Sequence, residues 1–345
     1  MEYTKLGNTG LDVSRIALGC MSYGNPKRGR HSWTLDEEQS RPFYQKAIES
    51  GINFFDTANE YQNGSSEEIL GKFIKEFANR DEVVIATKVF NPLREGQNAK
   101  GLSRKTILTE VENSLRRLKT DYIDLYQIHA WDHNTPIEET MGALNDVVRS
   151  GKARYIGACN TTAWQLQKAN YIAERNGWAK FVTAQNYLNL LYREEERELL
   201  PFCKEEKIGI LPWSPLARGK LTRDWNETSQ RSETDEFGKF LHNELINEGD
   251  RKVVEAVKEV AEARGVSRAQ IATAWVLQQQ PVSAAIIGAT KEYHLTDAVG
   301  TVDVKLTSKE ISKLEEHYMP HHNLSFLFNK LFKKKERLTL ISPFL

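Results

Sequence analysis

Short, almost wholly apolar runs recur along the chain. They alternate with longer segments in which apolar residues return every three or four positions. The runs are RIALGC (15–20), INFFDTA (52–58), VVIATKV (83–89), IDLYQIH (123–129), YIGACN (155–160), FVTAQN (181–186), IGILPWS (208–214) and AAIIGAT (284–290). They are not apolar-polar alternations, so they read as strands covered on both faces, as in a parallel sheet. The amphipathic segments lie at 36–50, 65–77, 103–118, 136–149, 162–176, 193–206, 250–264 with 267–279, and 308–317. Ser103 opens one of them, Thr135-Pro136 resembles a cap followed by a first-turn proline, and Gly151 follows a helix end.

Strands alternating with helices eight times predict βαβ units and a (β/α)8 TIM barrel. The competing architecture is an open doubly wound sheet, which usually has fewer strands. A dinucleotide-binding version would carry GxGxxG after its first strand, where this chain has Gly19-Cys20-Met21-Ser22-Tyr23-Gly24. Ahead of the barrel, Tyr3–Leu6 and Leu11–Val13 flank Asn8-Thr9-Gly10, a predicted N-terminal β-hairpin. Two polar stretches, 91–102 and 222–249, predict long loops on the C-terminal face, where such loops are usually functional. The barrel domain is expected over 1–322, with 323–345 as a C-terminal extension.

Composition narrows the function classes. Lys plus Arg and Asp plus Glu are 47 each in 345 residues, so no global charge favours nucleic acid. Cys20, Cys159 and Cys203 are widely spaced, which supports neither a disulfide framework nor a zinc site. The opening MEYTKLGNTG lacks an apolar core of the signal-peptide kind, and no apolar run approaches membrane-spanning length. A cytoplasmic protein is expected.

In a barrel of this type chemistry sits at the C-terminal ends of the strands. Those ends read Met21, Asp56, Lys88, His129, Asn160, Gln185, Trp213-Ser214 and Gly288-Ala289-Thr290. Each has a bland reading alone: a turn aspartate, a solvated lysine, a satisfied histidine. An Asp, a Lys and a His ending three successive strands would each cost free energy unless paired. As a set, with Tyr61 on the loop after Asp56, they fit carbonyl reduction. A tyrosine hydroxyl, ordinarily near pKa 10, is a poor acid, and an adjacent ammonium lowers that value. Lys88 would supply the ammonium, Asp56 would hold Lys88, His129 would orient the carbonyl, and Tyr61 would donate the proton.

Asp56-Thr57-Ala58-Asn59-Glu60-Tyr61 with Gly64-Ser65-Ser66-Glu67-Glu68-Ile69-Leu70-Gly71, Ala86-Thr87-Lys88, Asp124–His129 and Pro212–Gly219 together resemble the signature of the aldo-keto reductases. The resemblance spans about 1–322. Trp131-Asp132 and Asn134–Thr140 resemble most the bacterial branch described as aldo-keto reductase or 1-deoxyxylulose-5-phosphate-forming enzyme. The resemblance implies that Asp56, Tyr61, Lys88 and His129 are the catalytic tetrad, that NADPH supplies the hydride, and that no metal is used.

Cofactor positions follow from the strand ends. Asn160 and Gln185 could bond a nicotinamide carboxamide, with Met21 and Asp56 nearby. The family places a stacking aromatic at Trp213. Ser214, Leu216, Arg218, Gly219 and Lys220 lie where the pyrophosphate would pass. Gly288, Thr290, Lys291, His294 and Asp297 would meet the adenosine end, with Thr290 and Lys291 suited to a 2′-phosphate. NADPH is the expected cofactor, with NADH the alternative. Tyr23 and Trp131 should line the pocket for a small carbonyl substrate. Arg28, Arg30 and His31 are read as an exposed charged loop, with a phosphorylated substrate as the alternative.

The tail after His322 is basic, and Leu327, Phe328, Leu331 and Phe332 fall on one helical face. Residues 324–335 are expected to dock on the barrel or on a neighbouring subunit, with an anionic membrane surface as the alternative. Three other functions compete with carbonyl reduction. One is a cofactor-holding regulatory subunit like the potassium-channel β subunits, one is the deoxyxylulose-phosphate-related activity, and one is a phosphate-binding barrel isomerase.

Overall fold

A computed structural model describes residues 1–324 apart from Arg30 and Leu245. Strands β1 (Tyr3–Lys5) and β2 (Asp12–Ser14) form the predicted hairpin, with Tyr3 opposite Ser14. The eight apolar runs become parallel strands: β3 (Ile16–Gly19), β4 (Phe54–Asp56), β5 (Val84–Val89), β6 (Ile123–Ile128), β7 (Ala153–Cys159), β8 (Phe181–Gln185), β9 (Gly209–Ile210) and β10 (Ala285–Ile287). They pair in the order β10-β3-β4-β5-β6-β7-β8-β9. Bridges from Ile210 to Val282 and from Trp213 to Ile286 join the two ends, so the sheet closes into a (β/α)8 barrel.

The helices are α1 (Glu37–Glu49), α2 (Ser65–Phe77), α3 (Arg104–Leu118), α4 (Ile137–Arg149), α5 (Ala163–Asn176), α6 (Leu199–Glu205), α7 (Gln230–Thr234), α8 (Glu236–Glu244), α9 (Glu248–Arg264), α10 (Arg268–Gln278), α11 (Glu292–Gly300) and α12 (Ser308–Glu315). Ser103 caps α3 by accepting from the Thr106 amide. Pro136 is itself the N-cap of α4, so that helix starts one residue later than its sequence suggests. Gly151 takes φ 77° after α4, in the left-handed region that glycine adopts without strain.

Two cores hold the barrel. Inside it, Ala17, Phe54, Val84, Ala86, Leu125, Leu211, Ala284 and Ile286 pack together, and Leu6 and Val13 of the hairpin plug the floor. Outside it, a larger cluster joins strands to helices, for example Ile107, Val111, Leu115 and Leu118 of α3.

The structure departs from the periodicity in four places. β9 is two residues long because Pro212 has no N–H to continue the ladder, which resumes when the Trp213 amide donates to the Asn186 carbonyl. Segment 193–206 is broken into a 3-10 turn (Glu194–Glu196) and α6. The polar stretch 222–249 contains α7 and α8, and α11 follows β10 where only a helix start is legible. Among the described residues, no helix is long and apolar enough to cross a membrane. Leu324 is buried and donates its amide to the Tyr192 hydroxyl, while residues 325–345, including Leu327, Phe328, Leu331 and Phe332, lie outside the described part.

Candidate active site

Three strand ends and one turn meet at the top of the barrel. Lys88, on β5, is 0 % exposed. A lysine ammonium has three hydrogens, and all find acceptors: Asp56 Oδ1 at 2.6 Å, the Thr57 carbonyl at 2.8 Å and the Tyr61 hydroxyl at 3.4 Å. The other Asp56 oxygen accepts from Gln185 Nε2 at 2.9 Å and Gln127 Nε2 at 3.3 Å. Asp56 is therefore satisfied on both oxygens, which is what a buried carboxylate requires.

Tyr61 reaches this cluster because the chain turns sharply after β4. Gln62, Asn63 and Gly64 all take positive φ, at 48°, 50° and 84°. The Gln62 side chain pins the turn to the loop after β3, donating to the Asn25 and His31 carbonyls and accepting from the His31 amide. Arg28 of that loop is paired with Glu68 and bonded to the Asn63 carbonyl. At Gly64 the left-handed φ favours glycine, and a Cβ there would stand 2.7 Å from Arg117 Cδ and push that side chain aside. Beneath the turn lies a charged layer. Glu67, fully buried, accepts from Thr87 Oγ1 at 2.6 Å and from Arg117 Nε at 2.5 Å, and Asn59 donates to Glu110 at 3.1 Å.

His129 follows β6 and stands edge-on to Tyr61, with ring centroids 5.8 Å apart. Its Nδ1 is 3.6 Å from the Glu60 carboxylate, which also accepts from Asn91 at 2.7 Å. Burial, with help from the Lys88 charge, pushes His129 well below the ordinary histidine value. The ring is neutral at pH 7, so it offers a hydrogen bond rather than a charge.

For Tyr61 the balance differs from the sequence expectation. Burial raises its hydroxyl above the usual tyrosine range, and Asp56, Glu60 and Cys159 add to that. Lys88 pulls the other way but does not overcome the sum. For Lys88, burial pulls down while Asp56 and Tyr61 push up, and the net is a raised value. Lys88 lowers the Tyr61 value, as expected from an adjacent ammonium, but burial and the nearby acids outweigh it, so the net direction is upward.

Asn160 and Gln185 close one side. Asn160, at φ 54°, donates to the His129 carbonyl at 3.0 Å and accepts from Trp213 Nε1 at 3.1 Å. Gln185 Nε2 is taken by Asp56 and by Gln127 Oε1 at 3.3 Å, so its own oxygen is what it can offer a carboxamide. Cys159 donates weakly to Gln127 Oε1, with the sulfur 3.6 Å away. Trp213 is half-buried, with Tyr187 at a ring distance of 4.5 Å and Phe237 of α8 at 6.3 Å.

The segment after Trp213 suits a diphosphate. Ser214, Ala217, Arg218 and Gly219 all have positive φ, a tightly coiled run in which the Ala217 and Gly219 amides donate to the Ser214 and Leu216 carbonyls. Lys220 donates to the Trp225 carbonyl. Arg218 is different: its guanidinium is buried against Asp235, with Nε at 2.8 Å, so its charge is already neutralised inside the protein. Arg223, which the sequence did not single out, lies across Gly219, and its Nε is buried without a hydrogen-bond partner. At the other end, Lys291 is the N-cap of α11, and Thr290 donates its amide to His294 Nδ1 at 3.2 Å. His294 is thereby a capping residue. Gly288 is exposed, and Met21, Leu216 and Asp297 are half-buried. The donor set fits a nicotinamide dinucleotide, with an amide acceptor at one end and cations along the rest.

Tyr23 is not brought to the mouth. It is fully buried, with Tyr44 at 5.0 Å and Phe43 at 5.9 Å, on the side of the barrel facing α1. Trp131 is half-buried beside Trp164, at a ring distance of 6.0 Å. Gln127, Glu60 and Glu67 stand in the quoted motifs without an assigned role, and Arg117, Arg223 and Trp164 were not singled out, because their contacts depend on neighbours distant in the chain.

The model for the Aldo/keto reductase family matches residues 15–319. This chain belongs to the aldo/keto reductase family. It is similar to a versiconal hemiacetal acetate reductase of Aspergillus parasiticus, 45% identical over 339 residues, covering 93% of this chain and 98% of the relative. It is 44% identical to a "Putative aryl-alcohol dehydrogenase" of Schizosaccharomyces pombe, covering 92% and 96%. It is 37% identical to an aldo-keto reductase of Metarhizium robertsii, covering 93% and 92%. As a member of this family it is an NAD(P)H-dependent oxidoreductase that reduces small-molecule carbonyls. The expected kinship with the bacterial deoxyxylulose-phosphate branch is corrected, since these relatives are fungal reductases and dehydrogenases.

Proposed function

We propose that this aldo/keto reductase uses NADPH to reduce aryl aldehydes and ketones to alcohols, with Tyr61 as the proton donor. The observation that carries the reading is the Lys88 ammonium, which spends one of its three donors on the Tyr61 hydroxyl and the other two on Asp56 and the Thr57 carbonyl. When bound, NADPH supplies the hydride. Lys291, Thr290 and the N-terminus of α11 would hold its 2′-phosphate, Arg223, Lys220 and the amides of Ser214, Leu216 and Arg218 would hold the diphosphate, and Gln185 and Asn160 would hold the nicotinamide amide. Trp213 would stack on its ring.

The chain's own residues manage the proton. His129 is neutral and orients the carbonyl oxygen by a hydrogen bond. Tyr61 holds its proton at neutral pH and gives it to that oxygen as negative charge develops. The resulting phenolate is stabilised by Lys88, whose position Asp56 fixes through two strands' glutamines. Burial raises the phenol and Asp56 raises the ammonium, which favours the protonated form of both. The aryl preference rests on the name of the fission-yeast relative together with Trp131, two residues beyond His129.

The test is NADPH oxidation against a panel of carbonyls. Tyr61→Phe and Lys88→Met should each lower kcat by roughly 10²- to 10⁴-fold, the usual worth of a positioned general acid. Turnover that survives both substitutions overturns the proton path. Tight NADPH binding without turnover of any carbonyl would favour a cofactor-holding regulatory subunit.

A further inference from the structure

Two amides and a thiol from three strands meet beside Asp56 inside the barrel. Gln127 lies on β6 with its side chain 0 % exposed, and Gln185 ends β8, 3 % exposed. With Asp56 the two amides close a triangle. Gln127 Nε2 donates to Asp56 Oδ2 at 3.3 Å, Gln185 Nε2 donates to the same oxygen at 2.9 Å, and Gln127 Oε1 accepts from Gln185 Nε2 at 3.3 Å. Gln127 Oε1 also takes the thiol of Cys159 on β7, with the sulfur 3.6 Å away. Space for this side chain is made across the ladder. Gly157 pairs with Gln127, and a Cβ on Gly157 would stand 3.2 Å from Gln127 Cγ.

The triangle can run in one sense only. A carboxylate accepts and does not donate, so both amides turn their nitrogens toward Asp56. The Gln127 oxygen then faces two donors, Gln185 and Cys159, and both of its lone pairs are used. An amide nitrogen has two hydrogens, and Gln185 spends one on Asp56 and the other on Gln127. Asp56 alone would fix one corner of the Gln185 amide. Gln127 fixes a second, and two anchored hydrogens set the plane in which the Gln185 oxygen lies. With an apolar residue at 127, one Gln185 hydrogen would be buried without an acceptor, and rotation of the side chain would relieve that cost.

We infer that Gln127 is a positioning residue that holds the Gln185 oxygen in place to accept the amide hydrogen of a nicotinamide. This rests on the nicotinamide-holding role proposed for Gln185. In this role Gln127 touches neither cofactor nor carbonyl and acts through Gln185.

The experiment compares dissociation constants, measured by fluorescence titration, for NADP⁺ and for its 3-acetylpyridine analogue. The analogue keeps the carbonyl of the carboxamide and lacks its N–H. A neutral hydrogen bond is worth roughly two- to twelvefold in affinity. In Gln127→Met, Kd for NADP⁺ should rise about three- to tenfold, while Kd for the analogue should stay within about twofold. An unchanged analogue shows that the site as a whole is intact. Gln127→Glu is the conservative control. Two carboxyls this close share a proton rather than both ionise, so the introduced group can offer Asp56 a donor and Gln185 an acceptor, as the amide does. That variant should keep the parent's preference for NADP⁺. Equal losses for the two cofactors in Gln127→Met, or none, overturn the positioning role, and so does a preference that Gln127→Glu also loses. Equal binding of the two by the parent overturns it at its base, because Gln185 then does not meet the carboxamide. These constants are read without turnover, so activity that survives Tyr61→Phe would end the proton path and leave this result standing.

Discussion

At the residue level, the site is a balance between burial and pairing. Lys88 would lose its proton readily in an apolar interior, and Asp56 prevents this by lying 2.6 Å away. The residue types at the strand ends were legible because Asp, Lys and His are costly there without a purpose. The sign of the Tyr61 shift was not, because sequence reveals the neighbouring cation but not the depth of burial. Lys291 offers a simpler case. It is exposed at the start of α11 with no role in the core, so its replacement tests ligand binding alone. Lys291→Ala should raise Kd for NADPH roughly tenfold or more, the order of a charge-assisted bond to a phosphate, and leave Kd for NADH unchanged. Fluorescence titration with each cofactor measures this. Parallel losses for both would remove Lys291 from the 2′-phosphate.

Among the elements, the segment joining β4 to α2 places the proton donor. Three consecutive left-handed residues are expensive unless the surroundings impose them. The imposing contacts come from α3 and β5: Arg117 fills the space over Gly64 and pairs with Glu67, which in turn receives Thr87, the neighbour of Lys88. Helix positions and most strand positions were readable from periodicity, since burial on one face leaves a repeating mark. This layer left none. Glu67 and Arg117 look like ordinary helix-surface charges until α2 and α3 are packed together. Arg117→Ala should cost about 3 kcal/mol, because it leaves the Glu67 carboxylate buried without its cation. It should also lower kcat, since the turn carrying Tyr61 loses its support. Urea unfolding and steady-state rates measure the two effects, and Arg117→Lys should recover more stability than activity, because lysine restores the charge but not the planar fork. A loss below about 0.5 kcal/mol, as for a surface pair, would show that the layer does not hold the turn.

Across the whole molecule, stability should carry a pH dependence that originates outside the active site. Glu195 lies between β8 and α6 and is 5 % exposed. Burial pushes its carboxyl up to about 8, a hydrogen bond with Asn186 opposes this, and the Glu194 carboxylate adds to it. Below the ordinary value of 4.5, the group is protonated in folded and unfolded chains alike, and it adds no slope. Between 4.5 and about 8 the unfolded chain has released this proton while the folded chain keeps it, so folding stability falls as pH rises through that window. Above about 8 the folded chain must carry a buried charge, and the loss is complete. Glu195→Gln keeps the size and the neutral amide and removes the titration. Its urea midpoint should match the parent's near the bottom of the window and exceed it increasingly toward the top. Tyr61 and Lys88 are unchanged in this variant, so its kcat should follow the parent's, which separates global stability from chemistry. If the midpoints of the two proteins run parallel across the window, Glu195 is ionised in the folded chain and the carboxyl is solvated through an opening that its burial does not suggest.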